Sequence, residues 1–172
     1  VQLIAKSKRS KIIDKIIDAI FKIQGGYALA ILTNKKLIGI RDPFGIRPLV
    51  IGKLNKSYVL ASETCALDII GAKFVREVEN GEIVIITENG LESIKPFPKM
   101  KERSCIFEYI YFARPDSIIK NISVYEYRKR LGASLAKESH VNSDLIVPVP
   151  DSGVPAAIGY AEKVKKNVEL GI

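Results

Sequence analysis

The sequence has 172 residues, 47% of them apolar and 27% charged, and its 27 lysines and arginines against 19 acids give a formal charge of +8. That balance belongs to a folded globular protein rather than a disordered tail, and no stretch approaches the roughly 18 apolar residues of a membrane-spanning helix. The basic residues are scattered without aromatic interleaving or a nucleic-acid-binding motif, and two widely separated cysteines, Cys65 and Cys105, give neither a disulfide framework nor a metal-ligand spacing.

Ile12, Ile13, Ile16, Ile17, Ile20 and Phe21 recur at three- and four-residue spacing and predict an amphipathic helix over 10–23, with Ser10 as N-cap and Gly25-Gly26 as the stop. The nearly apolar run from Tyr27 to Thr33 predicts a strand buried on both faces. Asn34-Lys35 turn the chain into a second strand, Leu37 to Arg41. The segment Arg41-Asp42-Pro43-Phe44-Gly45-Ile46-Arg47-Pro48-Leu49 comes next. Pro43 fixes its own φ and biases Asp42 away from α, and Gly45 can take a positive φ. The residues describe a shaped connection between strands in which Asp42 is expected to accept nearby backbone N–H groups, with the arginines as support rather than as chemistry. A hairpin is expected from 49–52 and 58–61, turning near Asn55-Lys56, then a short helix over 64–69, an extended stretch over 74–78, and a second hairpin from 83–87 and 91–94. Strands in succession with few helices make an α+β fold rather than a β-α-β repeat.

Pro96 and Pro98 mark a boundary, followed by a polar connector over 99–103. Phe107, Tyr109, Tyr111 and Phe112 predict an aromatic-rich strand that ends in a turn at Arg114-Pro115-Asp116-Ser117. Ser123 and Glu126 have the capping-box spacing and open a helix to about 139, whose basic face of Arg128, Lys129 and Arg130 is expected in solvent. His140, the sole histidine, reads as a C-terminal cap or a solvated side chain. A strand over 144–150, the loop Asp151-Ser152-Gly153 and a helix from Pro155 to about 166 complete the chain. Strand, small-residue loop and helix N-terminus can present free N–H groups to a phosphate; the alternative is an ordinary turn in which Asp151 or Ser152 caps the helix.

Three of these strings together resemble a known family. Arg41 to Leu49 is similar to the RDPxGxRPL segment of class II glutamine amidotransferases, and Ala61-Ser62-Glu63-Thr64-Cys65-Ala66-Leu67-Asp68 follows it. Asparagine synthetases share a related loop, but Cys105 to Ser117 resembles the CxFEYxYFARPDS string of the amidophosphoribosyltransferases, the glutamine phosphoribosylpyrophosphate amidotransferases. The resemblance implies the second half of an N-terminal-nucleophile hydrolase domain over 1–98, a connecting segment over 99–140, and the first strand-loop-helix of a type I phosphoribosyltransferase domain over 141–172. It implies that glutamine is hydrolysed and that its ammonia displaces pyrophosphate from phosphoribosylpyrophosphate, the first committed step of purine synthesis. Asp151, Ser152 and Gly153 would then meet the pyrophosphate, with Ser152 at a Mg²⁺ site. Cys105 stands where some members ligate a [4Fe–4S] cluster and others do not. A cytoplasmic homo-oligomer is expected, with no nucleic-acid or membrane partner. The sequence reads as an internal fragment, for residue 1 is Val where the family has its nucleophilic Cys, and no acidic phosphoribosylpyrophosphate motif follows. The isolated chain is therefore expected to be inactive. The alternatives are another class II amidotransferase, such as an asparagine synthetase, or a truncated remnant without activity.

Overall fold

A computed structural model describes residues 1–171, which divide into two compact units. The first comprises Val1–Leu49 and Glu77–Ser104. It begins with α1 (Gln2–Lys6), which the sequence did not announce, and α2 (Ile12–Ile20). The N-cap of α2 is Lys11 without a side-chain hydrogen bond, not Ser10. Ile16 and Ile20 of α2 are buried against a sheet ordered β1 (Ala28–Leu32), β2 (Leu37–Arg41), β6 (Ile83–Thr87), β7 (Gly90–Ile94), all neighbours antiparallel. Ile38 and Ile40 of β2 and Ile83 and Ile85 of β6 meet the helix, so the isoleucine stripe and the two central strands make one core.

One expectation fails here. β1 is an edge strand, half-buried or exposed along its length, and Leu32 is 80% exposed. An apolar run alone does not say whether a strand lies at the centre or the edge of its sheet; β2 and β6, also mostly apolar, hold the centre.

The second unit comprises Val50–Arg76 and the chain from Cys105 onward. β3 (Val50–Leu54) and β4 (Ser57–Ala61) pair as the expected hairpin, with Asn55 at φ 54° in the turn. β5 (Lys73–Glu77) lies on the other side of β3, and α3 (Thr64–Ile69) packs Leu67 on Val50 and Ala72. After Cys105 the predicted aromatic strand is instead a π-helical turn, Glu108–Phe112, closed by Ala113 N–H donating to Glu108 O at 3.1 Å. A short hairpin, β8 (Ile118–Ile119) and β9 (Ile122–Ser123), leads into α4 (Val124–Glu138). Ser123 Oγ accepts the N–H of Glu126 at 3.3 Å, as the capping box predicts.

β10 (Leu145–Ile146) is far shorter than the strand expected over 144–150, because Pro148 and Pro150 have no N–H to extend a ladder. It pairs in parallel with β11 (Asn167–Val168), on the far side of α5 (Val154–Val164). His140 is exposed just past α4.

Candidate functional site

The Arg41–Leu49 loop folds around one carboxylate. Asp42 is fully buried, and its Oδ1 accepts the N–H groups of Phe44 (3.0 Å) and Ile46 (3.1 Å) while its Oδ2 accepts those of Arg47 (3.0 Å) and Tyr27 (3.3 Å). Arg41, one residue before it, does the reverse. Its buried guanidinium donates to the carbonyls of Arg47 (2.9 Å), Val78 (2.8 Å) and Gly45 (3.4 Å) and meets Glu77 at 3.3 Å. The acid gathers donors and the base gathers acceptors, so the loop's backbone groups are satisfied from both sides. Gly45 has φ +65°, and a Cβ there would collide with the Asn80 side chain. The expectation that Asp42 accepts nearby backbone N–H groups is met.

Tyr27, beside Asp42, buries its hydroxyl with no hydrogen-bond partner among the described residues. Burial first, and the Asp42 charge second, push its pKa up to about 12 from 10.0. The folded chain therefore keeps this proton longer than the unfolded one does. Its contribution to stability is fully present below pH 10.0 and is lost as pH rises towards 12. Tyr27→Phe is expected to raise stability at neutral pH by about 1 kcal/mol, since it removes an unsatisfied hydroxyl. It should also flatten that alkaline loss, and urea titrations at several pH values read both effects.

In the second unit the two remaining strings meet. Glu63 Oε2 accepts the Arg114 N–H (2.8 Å) and the Ser117 hydroxyl (2.8 Å), and the Cys65 thiol points to it at 3.8 Å. Thr64 Oγ1 accepts the Ile118 N–H at 2.8 Å. Burial pushes the Cys65 thiol up, which keeps it protonated and unreactive at neutral pH. The fork of Arg114 on Asp116 (3.0 and 2.9 Å) holds the Asp116 carboxyl below its usual range.

Arg128 was expected in solvent and is 2% exposed. Its Nε donates to Tyr109 O (2.7 Å) and its Nη2 to Ala113 O (2.8 Å), and burial lowers its pKa. Those two carbonyls lie in and just after the π-helical turn, so a tertiary donor selects helix over strand for a run whose aromatic spacing suits either. Of the basic face, Lys129 pairs with Glu162 at 2.8 Å.

The loop Asp151-Ser152-Gly153 follows a cis peptide between Pro150 and Asp151. Asp151 is exposed and Ser152 half-exposed, and no side chain caps α5, so neither oxygen is spent on the helix. The loop's N–H groups are only partly open: Gly153 donates to Val149 O (3.2 Å) and Val154 to Asp151 O (3.3 Å). Gly153 sits at φ −76°, so its need is space, not a positive φ; a Cβ there would stand 2.5 Å from Val149 O.

The metal ligands read from the sequence stay separate. Cys105 is half-exposed, and among the described residues no three His, Cys, Asp or Glu side chains form a metal-binding group. A [4Fe–4S] cluster takes four ligands, which the described residues do not supply together. Ser152 offers Mg²⁺ one neutral hydroxyl, which fits only an ion held mainly by substrate oxygens.

Residues 3–68 match the family described as "Glutamine amidotransferase domain". An amidophosphoribosyltransferase of Rhizobium etli is 53% identical over 175 residues, covering 99% of this chain and 35% of its own length. A chloroplastic amidophosphoribosyltransferase of Glycine max is 47% identical, covering 99% of this chain and 30% of its own length. Among solved structures, the glutamine phosphoribosylpyrophosphate amidotransferase of B. subtilis complexed with ADP and GMP superposes with a TM-score of 0.93 at 46% identity, over 98% of this chain and 37% of that one. The chain thus spans about a third of the length of the curated relatives it matches. No helix among the described residues is long and apolar enough to cross a membrane.

Proposed function

We propose that the chain, which is similar to the amidophosphoribosyltransferases in sequence and fold, is part of an enzyme making phosphoribosylamine from glutamine and phosphoribosylpyrophosphate. The observation that carries this reading is continuity. The match to the B. subtilis enzyme covers 98% of the chain rather than the amidotransferase loop alone. An asparagine synthetase would account for the Arg41–Leu49 loop and the Ala61-Ser62-Glu63 that follows it, but not for Cys105 to Ser117.

In this reading residues 1–98 are the later half of an N-terminal-nucleophile glutaminase domain, 99–140 connect, and 141–172 begin a type I phosphoribosyltransferase domain. This division is by function, whereas the compact units interleave in sequence. The glutaminase half contributes scaffold here. Neither Cys65 nor Cys105 carries a free α-amino group beside its thiol, so these residues alone are expected to leave glutamine intact. The Asp151-Ser152-Gly153 loop would take the pyrophosphate end of the substrate at the N-terminus of α5, where the helix dipole favours an anion and the Ser152 hydroxyl is unspent. Mg²⁺, when bound, would neutralise the leaving pyrophosphate, with Ser152 as one oxygen near it. The homo-oligomer and the cytoplasmic location belong to the same proposal, and the chloroplastic relatives show that the compartment varies among similar proteins.

The test is a chimera in which these residues replace the matching third of the B. subtilis enzyme. Release of pyrophosphate that depends on both glutamine and phosphoribosylpyrophosphate is the expected result. A folded chimera without that activity would reject the reading. In an active chimera, Ser152→Ala should raise the KM for phosphoribosylpyrophosphate by about tenfold with little change for glutamine.

A further inference from the structure

The sequence holds two Asn-Gly pairs, Asn80-Gly81 and Asn89-Gly90, both in the first unit. In such a pair the glycine's backbone nitrogen can close a succinimide ring on the asparagine carboxamide carbon, and glycine has no Cβ to crowd that approach. Asn89 is exposed at the tip of the β6–β7 hairpin, where Thr87 and Gly90 are the last pair of the ladder. Its backbone N–H donates to Thr87 Oγ1 at 3.2 Å, and its carboxamide has no hydrogen-bond partner among the described residues. Gly90 has φ +122°, and nothing lies within 4 Å of the position a Cβ would take. β7 is an edge strand, so Gly90 is paired on one side only. The other pair is enclosed. Gly81 is buried and donates its N–H to Asp42 O at 3.0 Å, with Phe97 3.3 Å and Pro43 Cα 3.5 Å from where a Cβ would stand. The half-buried Asn80 wedges its carboxamide against Gly45.

We propose that Asn89 is a site of spontaneous deamidation in the folded chain, and that the fold protects Asn80 from the same reaction. The Gly90 amide loses its proton to hydroxide, and its nitrogen bonds to Asn89 Cγ. The carboxamide C–N bond breaks, and the nitrogen leaves as ammonia after taking a proton from water. Water then opens the succinimide at either carbonyl, giving aspartate or isoaspartate at residue 89. Ring closure needs the turn to swing the carboxamide over the Gly90 nitrogen, and the end of an edge hairpin opens at a lower free energy than the interior of a sheet. At Gly81 the same swing has to break the bond to Asp42 O and free the Asn80 carboxamide from Gly45. Both products add a negative charge beside Glu88, and isoaspartate also lengthens the main chain of a two-residue turn, against the Thr87–Gly90 pairing. The site does not depend on the proposed reaction, because it rests on the hairpin alone.

Ageing of the 172-residue chain in mildly alkaline buffer, followed by peptide mapping in acid, is the measurement. Circular dichroism before and after confirms that the chain stays folded. Mass spectrometry should find the amide-to-acid change at residue 89, as aspartate and isoaspartate together, about tenfold or more faster than at residue 80. The same chain in urea supplies the reference. Unfolded, the two Asn-Gly pairs should convert at similar rates, since only the fold separates them. A folded chain in which Asn80 converts as fast as Asn89 would overturn the proposal, as would an Asn89 that stays an amide while the unfolded chain reacts. The proposal also fails if the preference for Asn89 is as large in urea as in the folded chain, because the local sequence and not the hairpin would then set it.

Discussion

Asp42→Ala is expected to cost the first unit roughly 3–5 kcal/mol, among the largest effects of any single change there. The alanine would strand the N–H groups of Tyr27, Phe44, Ile46 and Arg47, all of which end on this carboxylate. Water can repair little of this, because Asp42 is fully buried. Asp42→Asn separates charge from geometry. One oxygen survives for two of the donors, while the amide NH₂ faces the other two donor to donor, so an intermediate loss of about 2–3 kcal/mol is expected. Urea unfolding followed by far-UV circular dichroism measures both. If the alanine variant lost less than the asparagine variant, the loop would not be organised by this carboxylate.

That loop was legible in the sequence because most of the residues that shape it are local. Asp42 reaches donors two, four and five residues ahead, and Gly45 supplies the one conformation that other residues avoid. The Ser123 cap, the two hairpins and the helix at Thr64–Ile69 were legible for the same reason. What the sequence concealed is tertiary. Nothing near Arg128 distinguishes it from Lys129 or Arg130, and only the carbonyls of Tyr109 and Ala113 draw it inside. The same two bonds turn a strand-like aromatic run into a π-helical turn. β1 and β2 have similar compositions, and their places at edge and centre depend on a partner, β6, that lies far along the chain. Of the candidate site, the position of Asp151-Ser152-Gly153 before α5 could be read from strand, loop and Pro155, but the sequence did not indicate that Gly153 is needed for room rather than for φ. The meeting of Glu63 with Arg114 and Ser117 had a signal, two polar strings with no local use, but no sequence rule pairs them.

Gly132→Ala and Gly159→Ala are each expected to destabilise the second unit by about 2–4 kcal/mol, although glycine-to-alanine inside a helix ordinarily stabilises by about 1 kcal/mol. The sign is decided at the crossing of α4 and α5. A Cβ on Gly132 would run into the carbonyl of Ala156, and a Cβ on Gly159 into the carbonyl of Lys129. Both obstacles are helix backbone, which cannot rotate away as a side chain would. The helices must instead separate, and the packing around Ala136 and Ala161, 5% and 1% exposed, opens with them. The Lys129–Glu162 pair cannot hold them together, since Glu162 is 60% exposed and screened by solvent. Leu135→Ala on the same helix, at a side chain 54% exposed, is the control and should cost far less. The effect should also reach the loop. α5 begins directly after Gly153, which already packs against Val149 O with no space to spare, so a displaced α5 moves the Asp151-Ser152-Gly153 turn. In the active chimera, Gly159→Ala should therefore raise the KM for phosphoribosylpyrophosphate more than the KM for glutamine. Unfolding curves and the two KM values together decide it: a Gly159→Ala protein as stable as the parent would mean that the crossing tolerates a methyl group. Equal KM changes for both substrates would mean that α5 does not carry the displacement to its N-terminus.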